Sequence, residues 1–264
     1  MFRRLLPARL LLAAALLIPL AAPNVAQAQT IDDILKRGKV LIGIDVTNPP
    51  YGLMGKTMEP EGLDVDMAKA MAKRLGVQLE IVQVTGPSRI PTLLNNRADI
   101  IIATFAPTPE RALQVQFSSV YSDVQQVILA PQSRAIKTVA DTAGLKVAVV
   151  RGNTQDVAYT PIAPPTATIL RFDDDAGAMQ ALLSGQVDAL VTGSVTSAVI
   201  IRQNPDKKLE IKLAIRDNPL TIGVRRGQQD LLNRINTFIF YMKYSGELEA
   251  LHKKFDIPYA LPTL

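Results

Sequence analysis

The sequence predicts an α/β protein built as two similar lobes, and three observations carry that expectation. Strand-like and helix-like hydrophobic patterns alternate along the chain, the alternation restarts after about residue 124, and one ten-residue pattern occurs twice. Residues 93–102 (LLNNRADIII) and 182–191 (LLSGQVDALV) each run from a helix end through a tight turn to an Asp that opens an apolar strand. They read as equivalent positions of two related units.

Residues 1–28 stand apart from this grammar. Arg3, Arg4 and Arg9 form a basic start, residues 10–20 an apolar stretch, and Ala26-Gln27-Ala28 a small-residue cleavage site, the order of a secretory signal peptide. The chain from Gln29 onward is expected to be exported and soluble, because no later stretch offers the roughly 18 uninterrupted apolar residues of a membrane-spanning helix. With no Cys, disulfides, thiolate metal sites and a lipid-bearing Cys are excluded, so the expected location is a Gram-negative periplasm without a lipid anchor.

From residue 39 the elements follow in order. Residues 39–44 are β-branched and apolar, a strand; residues 63–75 place Met67, Ala70, Met71 and Leu75 on one helical face, and Gly76 ends that helix. Residues 77–84 read as strand, 90–94 as a short helix and 99–104 as a buried strand, a βαβ order. The second unit repeats it: strand 124–130, short helix 138–143, strand 146–150, helix 174–183, strand 188–191, helix 195–203 and strand 209–213. An amphipathic helix carrying Leu231, Leu232, Ile235, Phe238, Ile239 and Met242, and a second over 248–255, are expected to pack back on the first lobe. The expected division is therefore 29–123 with 217–264 as lobe 1 and 124–216 as lobe 2, each of about 100 residues or more and large enough for its own core.

Charge and composition narrow the chemistry. The formal charge of +5 falls to +2 without residues 1–28, with 26 Lys and Arg against 24 Asp and Glu. No basic cluster interleaves with aromatics, so nucleic acid is not an expected partner. A single histidine, His252, reads as a surface residue of the last helix, far from any nucleophile signature, which leaves a hydrolase triad without support. No metal-ligand spacing, phosphate loop or dinucleotide fingerprint occurs, and no cofactor is expected. The Asp173-Asp174-Asp175 run precedes a helix and reads as capping rather than a metal site.

Three loops remain as candidates for binding. The strand ending at Thr104 turns over Pro107 and Pro109 and delivers Arg111, whose planar fork can donate two parallel hydrogen bonds to a carboxylate; the alternative is a surface Arg at a helix start. Arg151-Gly152-Asn153-Thr154-Gln155-Asp156 follows strand 146–150 and offers backbone N–H groups with hydroxyl and amide donors, either an anion cradle or a plain helix cap. Residues 45–52 (DVTNPPYG) end the first strand with an acid and an aromatic at a rigid turn. All three loops follow the carboxyl ends of strands, where open α/β sheets bind ligands.

Four stretches together resemble the extracellular solute-binding proteins, family 3, of polar amino-acid ABC importers. They are residues 40–51 with Pro-Pro-Tyr, EGLDVDMA at 61–68 for Gly-Phe-Asp-x-Asp-hydrophobic-Ala, Thr108-Pro109-Glu110-Arg111 for Thr-x-x-Arg, and Gly152-Asn153-Thr154-Gln155 for Gly-[ST]-Thr. The resemblance implies a two-lobed type II periplasmic-binding-protein fold with two crossover hinge strands, a monomer that delivers its ligand to a membrane permease. It implies that Arg111 takes the ligand α-carboxylate, that Thr104 and Ala106 line its cleft, and that Thr154 and the Asn153 and Thr154 amides close from the second lobe. Asp45 matches a position that approaches the ligand side chain in members binding basic ligands, and Tyr51 lies in the same loop.

The departures matter as much. The family Asp that pairs with a ligand α-ammonium corresponds to Gly193, and two aromatic positions that sandwich the side chain correspond to Asn48 and Gly86. A buried ammonium without a counter-charge is costly, so either Asp156 or Asp45 serves, or the ligand lacks a conventional amino group. Arg89 and Arg151 are candidate second anchors. The expected function is capture of an amino acid or related small carboxylate; the alternative is a cyclohexadienyl-dehydratase-like lyase on the same scaffold.

Overall fold

The computed structural model describes residues 30–259, and the expected signal peptide lies outside them. The chain opens with α1 (Ile31–Arg37), held at its start by a reciprocal capping box between Thr30 and Asp33. β1 (Lys39–Ile44) follows, then a small antiparallel sheet of β2 (Thr47–Asn48), β3 (Gly52–Met54) and β4 (Pro60–Glu61). α2 (Leu63–Leu75) turns Leu63, Met67 and Met71 inward and stops at Gly76, whose φ of 69° suits a residue without Cβ. β5 (Gln78–Gln83), α3 (Arg89–Leu94), β6 (Ile100–Phe105), α4 (Pro109–Ala112) and β7 (Val115–Phe117) complete the first run. The second run is β8 (Ser122–Pro131), β9 (Lys146–Val150), α5 (Thr154–Tyr159), β10 (Thr168–Phe172), α6 (Asp175–Leu183), β11 (Ala189–Gly193), α7 (Ser194–Gln203) and β12 (Leu209–Arg225). α8 (Gln229–Tyr244) and α9 (Glu247–Lys254) close the described chain.

The strands run in the order β10-β9-β11-β8-β12-β6-β1-β5, with β7 also paired to β12. At one end β5, β1 and β6 are parallel, and at the other β10, β9 and β11 are parallel. Between them β8 and β12 form a long antiparallel ribbon, from Leu209 opposite Pro131 to Leu220 opposite Ser122. β12 then continues into the first sheet, pairing β6 and β7. The backbone thus passes twice between two parallel sheets along one ribbon, the two crossover strands of a two-lobed fold.

Each parallel sheet is covered on both faces, as its near-continuous apolar strands require. Along β6 the side chains alternate: Ile100 and Ile102 join a core with α2, α8 and α9, whereas Ile101, Ala103 and Phe105 join Val84, Leu93 and Val115 on the other face. At the far sheet Leu129, Val150 and Leu190 pack with α6, while Ile128, Val149 and Val191 pack around Tyr159. The duplicated pattern has one structural meaning. Asp99 accepts from the Leu41 amide at 2.8 Å and pairs with Arg37, and Asp188 accepts from the Lys146 amide at 2.8 Å and pairs with Arg134. Each acid ties the start of its strand to the neighbouring parallel strand.

Three expectations need correction, and two strands were not expected at all. The strand at 209–213 runs on to Arg225, because a crossover ribbon needs backbone pairing where its sequence is polar. The helix at 138–143 is a single 3-10 turn, Val139–Thr142. The strands β7 and β10 carry too little hydrophobic period to be read in advance. His252 is not a surface residue. It is 1 % exposed, with Nδ1 2.7 Å from the Leu248 carbonyl and Nε2 3.0 Å from the Ser122 hydroxyl at the start of β8. α9 packs back on the ribbon there, and burial pushes the imidazole pKa down.

Candidate functional site

The loops after β1, β5, β6, β9 and β11 converge on a small, almost filled polar cavity between the two sheets. It is bounded on one side by Asn48, Tyr51, Arg89 and Thr104, on the other by Asn153, Thr154, Thr192, Gly193 and Thr196. The ribbon supplies Val124, Gln126 and Asn218 to its wall.

Thr104, the last residue but one of β6, lies in the left-handed region, φ 46°, an uncommon conformation for a β-branched residue. Its surroundings hold it there. The Thr104 amide donates to Asp64 Oδ2 at 3.0 Å, and Tyr121 donates to Asp64 Oδ1 at 2.7 Å. Asp64 is the acid of the EGLDVDMA stretch, and burial lifts its pKa to about 7 against the pull of those two donors. The turned backbone leaves the Thr104 hydroxyl to accept from Asn48 Nδ2 at 3.3 Å and its carbonyl to accept from Arg89 Nη1 at 3.4 Å.

Among the described residues four hydrogen bonds cross at the cleft between the β1–β6 side and the β9–β11 side, and a fifth joins Arg202 of α7 to Asp256 beyond α9 at 3.5 Å. Arg111 Nη2 donates to the Gly152 carbonyl at 2.8 Å, and Arg89 Nη2 donates to Asn153 Oδ1. Thr196 donates to Asn48 Oδ1 at 2.7 Å, and the Asp175 amide donates to the Thr47 hydroxyl at 3.3 Å. The two guanidinium groups stand over one ring, Arg89 at 5.5 Å and Arg111 at 5.1 Å from the Phe105 centroid. Burial, then the charge of Arg89, push the Arg111 pKa down to about 9, which still leaves the guanidinium charged at neutral pH.

Two buried carboxylates, Asp45 and Asp175, act on Arg89 through space. Asp45 accepts from Thr47 through its backbone (3.0 Å) and hydroxyl (2.7 Å), all on Oδ1; its Oδ2 and that of Asp175 meet no hydrogen-bond donor among the described residues. Burial raises both pKa values, and Asp175, further repelled by Asp45, reaches about 8.

The structure brings Asn48, Tyr51, Thr104, Asn153, Thr154 and Gly193 onto one cavity. It leaves Arg111, Ala106 and Asp45 outside that lining. Arg111 is nevertheless buried at 8 % exposure, not a surface Arg, and its Nη1 donates to the Ala106 carbonyl at 2.6 Å. Asp156 is engaged by Arg171 at 3.0 Å and by Thr160 at 2.7 Å, which leaves it no free role toward a ligand ammonium. Arg151 is exposed and pairs with Asp173 at 3.1 Å; of the two candidate second anchors only Arg89 lines the cavity. Asp174 caps α6 by accepting from the Gly177 amide at 2.7 Å, as the capping reading of the Asp run expects.

Sequence reasoning missed Gln126, Thr192, Thr196 and Asn218, whereas Gln155 of the 151–156 loop does reach the lining. Gln126 lies in the polar first half of β8, where sequence gives no sign that it is buried and donates to Thr154 at 3.4 Å while its neighbour Gln125 is exposed. Gly86 has a reason in place. A Cβ there would lie 2.3 Å from Asn153 Oδ1, so the space of an aromatic wall is filled by the Asn153–Arg89 pair. At Gly193 a Cβ would meet Val124 Cγ2 at 3.1 Å and Thr196 Oγ1 at 3.8 Å.

A two-lobed α/β fold with a polar cavity at its strand ends and a two-strand ribbon between its sheets is the architecture of solute-binding proteins. This chain belongs to the bacterial extracellular solute-binding proteins, family 3, whose model matches residues 40–257. It is 33 % identical over 238 residues to the ABC transporter glutamine-binding protein GlnH of Bacillus subtilis, covering 88 % of this chain and 86 % of that protein. Among solved structures it matches holo ArgBP from T. maritima with a TM-score of 0.76 and 34 % identity, over 85 % of this chain and 99 % of that one. It also matches the ancestral amino acid-binding protein AncCDT-1, a precursor of cyclohexadienyl dehydratase, with a TM-score of 0.76 and 34 % identity, over 85 % and 98 % of the two chains.

Proposed function

We propose that this protein is the ligand-capturing component of an ABC importer, a monomer of the periplasm that begins near Gln29 after removal of its signal peptide. It encloses an amino acid or related small carboxylate between lobe 1, residues 29–123 and 217–264, and lobe 2, residues 124–216, and presents the closed form to a membrane permease. It needs no cofactor and performs no reaction on its ligand.

The observation that carries this reading is the polar cavity spanned by cross-lobe hydrogen bonds, with the β8–β12 ribbon as the covalent link between the two sides. Bending of a two-strand ribbon opens such a cleft and lets ligand in; closure expels water and strengthens each polar contact inside. Arg111 acts as the carboxylate anchor by exchanging the neutral Gly152 and Ala106 carbonyls for a charged acceptor, which binds a guanidinium more strongly. Thr104, Ala106, Asn153 and Thr154 frame that carboxylate, and Asn48, Tyr51, Asp45 and Gly193 bound the remainder of the ligand.

A thermal-shift screen of amino acids, keto acids and opine-like carboxylates identifies the ligand. X-ray scattering with and without that compound then tests closure: compaction is expected, and an unchanged radius of gyration at saturation refutes it. Incubation with prephenate separates binding from lyase chemistry, with no turnover expected.

A further inference from the structure

Asp45 and Asp175 place two buried carboxyl groups on opposite sides of the cleft, one from each lobe. Asp45 follows β1 and is 2 % exposed; Asp175 opens α6 and is 6 % exposed. The Thr47 hydroxyl stands between them, donating to Asp45 Oδ1 at 2.7 Å and accepting from the Asp175 amide at 3.3 Å. Asp45 takes a second bond from the Thr47 amide at 3.0 Å, whereas the Asp175 carboxyl accepts none among the described residues. On each acid one buried oxygen is left unpartnered.

The charges around the pair do not balance it. Arg89 is the cation that acts on both, and neither carboxyl forms an ion pair with it among the described residues. Asp174 acts on both with the opposite sign, and Asp64 adds its charge to that of Asp45. The amino end of α6 favours a charged Asp175, but its amides there already donate to Thr47 and Asp174. Burial therefore dominates: it raises both pKa values, and that of Asp175, raised further by Asp45, reaches about 8. Opening the cleft returns both groups to water and parts them, so each moves back toward the ordinary value of about 3.9. Asp64 does not follow, because its donors Tyr121 and Thr104 belong to lobe 1 and stay with it.

We propose that the Asp45 and Asp175 pair couples lobe closure to protonation, the lobes closing with one proton taken from solvent and opening as it is released. The step forms one O–H bond on a carboxyl oxygen and makes or breaks no other covalent bond. Asp175 is its main carrier, since Asp45 with two bonds from Thr47 is the better stabilised anion. The O–H removes one of two like charges and turns an unpartnered acceptor into a donor. Closure is then favoured by acid and opposed by base before any ligand is considered. This goes beyond the solute-binding reading and rests on it for the hinge.

Pulsed electron resonance on the ligand-free mature chain tests it. The sequence has no Cys, so spin labels on Met58→Cys in lobe 1 and Val157→Cys in lobe 2, both exposed positions, report the distance between lobes without background. The ratio of short to long distances should fall as pH rises from 5.5 to 8, by up to about tenfold per unit for one proton, and level off above. In Asp175→Asn, neutral at every pH, the ratio should change by less than about threefold over the same range. Asp45→Asn, which leaves one acid facing Arg89, should flatten the series in the same way and serves if the first variant does not fold. A distribution in the labelled protein that does not move with pH overturns the proposal, as does a folded variant of either acid that keeps the full slope. Addition of the amino acids, keto acids and opine-like carboxylates of the screen at pH 8 separates the two readings. Distances that shorten with one of these compounds but ignore pH overturn the proton coupling alone; distances that ignore both overturn the hinge as well.

Discussion

Arg111→Ala separates an anchor from a structural cation. In the free protein the side chain donates to the Ala106 carbonyl at 2.6 Å and the Gly152 carbonyl at 2.8 Å and stands 5.1 Å from the Phe105 centroid. Deleting it loses two hydrogen bonds from a charged donor, each contributing about 1.5–3 kcal/mol. It also removes a buried cation whose desolvation opposes folding, as its lowered pKa records. These terms have opposite sign, so stability should change by no more than about 1–2 kcal/mol. Binding has no such offset, because a desolvated ligand carboxylate would lose its charged partner. The loss expected there is on the order of 2–5 kcal/mol, about 1.5 to 3.5 decades in Kd. Calorimetry with the tightest compound of the screen measures the loss, and a urea melt confirms that the variant is folded. Arg111→Lys should fall between, since an ammonium keeps the charge but not the two-pronged geometry. A folded Ala variant that binds within about 0.5 kcal/mol of the unmodified protein would show that Arg111 only ties Gly152 to Ala106, and the anchor assignment would be wrong.

Asp64→Ala should destabilise the protein by about 2–5 kcal/mol, since it leaves the Tyr121 hydroxyl and the Thr104 amide buried without acceptors; an unchanged urea midpoint would contradict this. Stability should rise as pH falls from about 8 toward 5, because Asp64 (about 7) and Asp175 (about 8) hold their protons more tightly folded than unfolded. Their contribution is complete below the ordinary carboxylate range and lost as pH rises through 7 to 8; Asp175→Asn should flatten the slope in thermal melts, and an unaltered slope would count against it. Arginine, lysine and histidine should bind more weakly than about 1 μM, equivalent to about −8.2 kcal/mol. Gly193 supplies no ammonium partner and residues 48 and 86 no aromatic wall, so a tighter constant by calorimetry for any of the three would reveal contacts from other residues.

What was legible in advance was what repeats or has a strong period. The Asp99 and Asp188 pattern, the face of α2 and the apolar strands at 39–44, 99–104 and 146–150 could be placed because burial on both faces leaves a continuous hydrophobic trace. The small sheet β2-β3-β4 and the outer length of β12 could not, since short or polar strands are made by their pairing partners and not by their own composition. In the site, loop residues Asn48, Thr104, Asn153 and Thr154 were found through motif and strand-end position. His252 went the other way. A histidine among the charged residues of an amphipathic helix looks exposed until the packing of α9 against Ser122 is known. Asp156 and Arg151 were equally plausible ligand groups by sequence, and only geometry shows Arg171 and Asp173 already holding them.

The same geometry explains why closure should depend on ligand. The contacts across the cleft are mainly hydrogen bonds, with Val124 and Val195 the apolar side chains that reach the first core, and a hydrogen bond that replaces bonds to water contributes only about 0.5–1.5 kcal/mol net. Two of the four use guanidinium groups that must be desolvated to form them, and Asp45 and Asp175 must approach each other as the lobes meet. Favourable and unfavourable parts are therefore of similar size, and neither the open nor the closed arrangement has a large intrinsic advantage. An anion that satisfies the cations acts on the closed form alone, and that differential affinity is the whole of its leverage on the equilibrium. An apolar lobe interface would have closed the cleft without cargo. Placing Asn48 and Gly86 where aromatic residues would stand keeps the closing surfaces polar, which makes closure responsive to the charge of what lies between them.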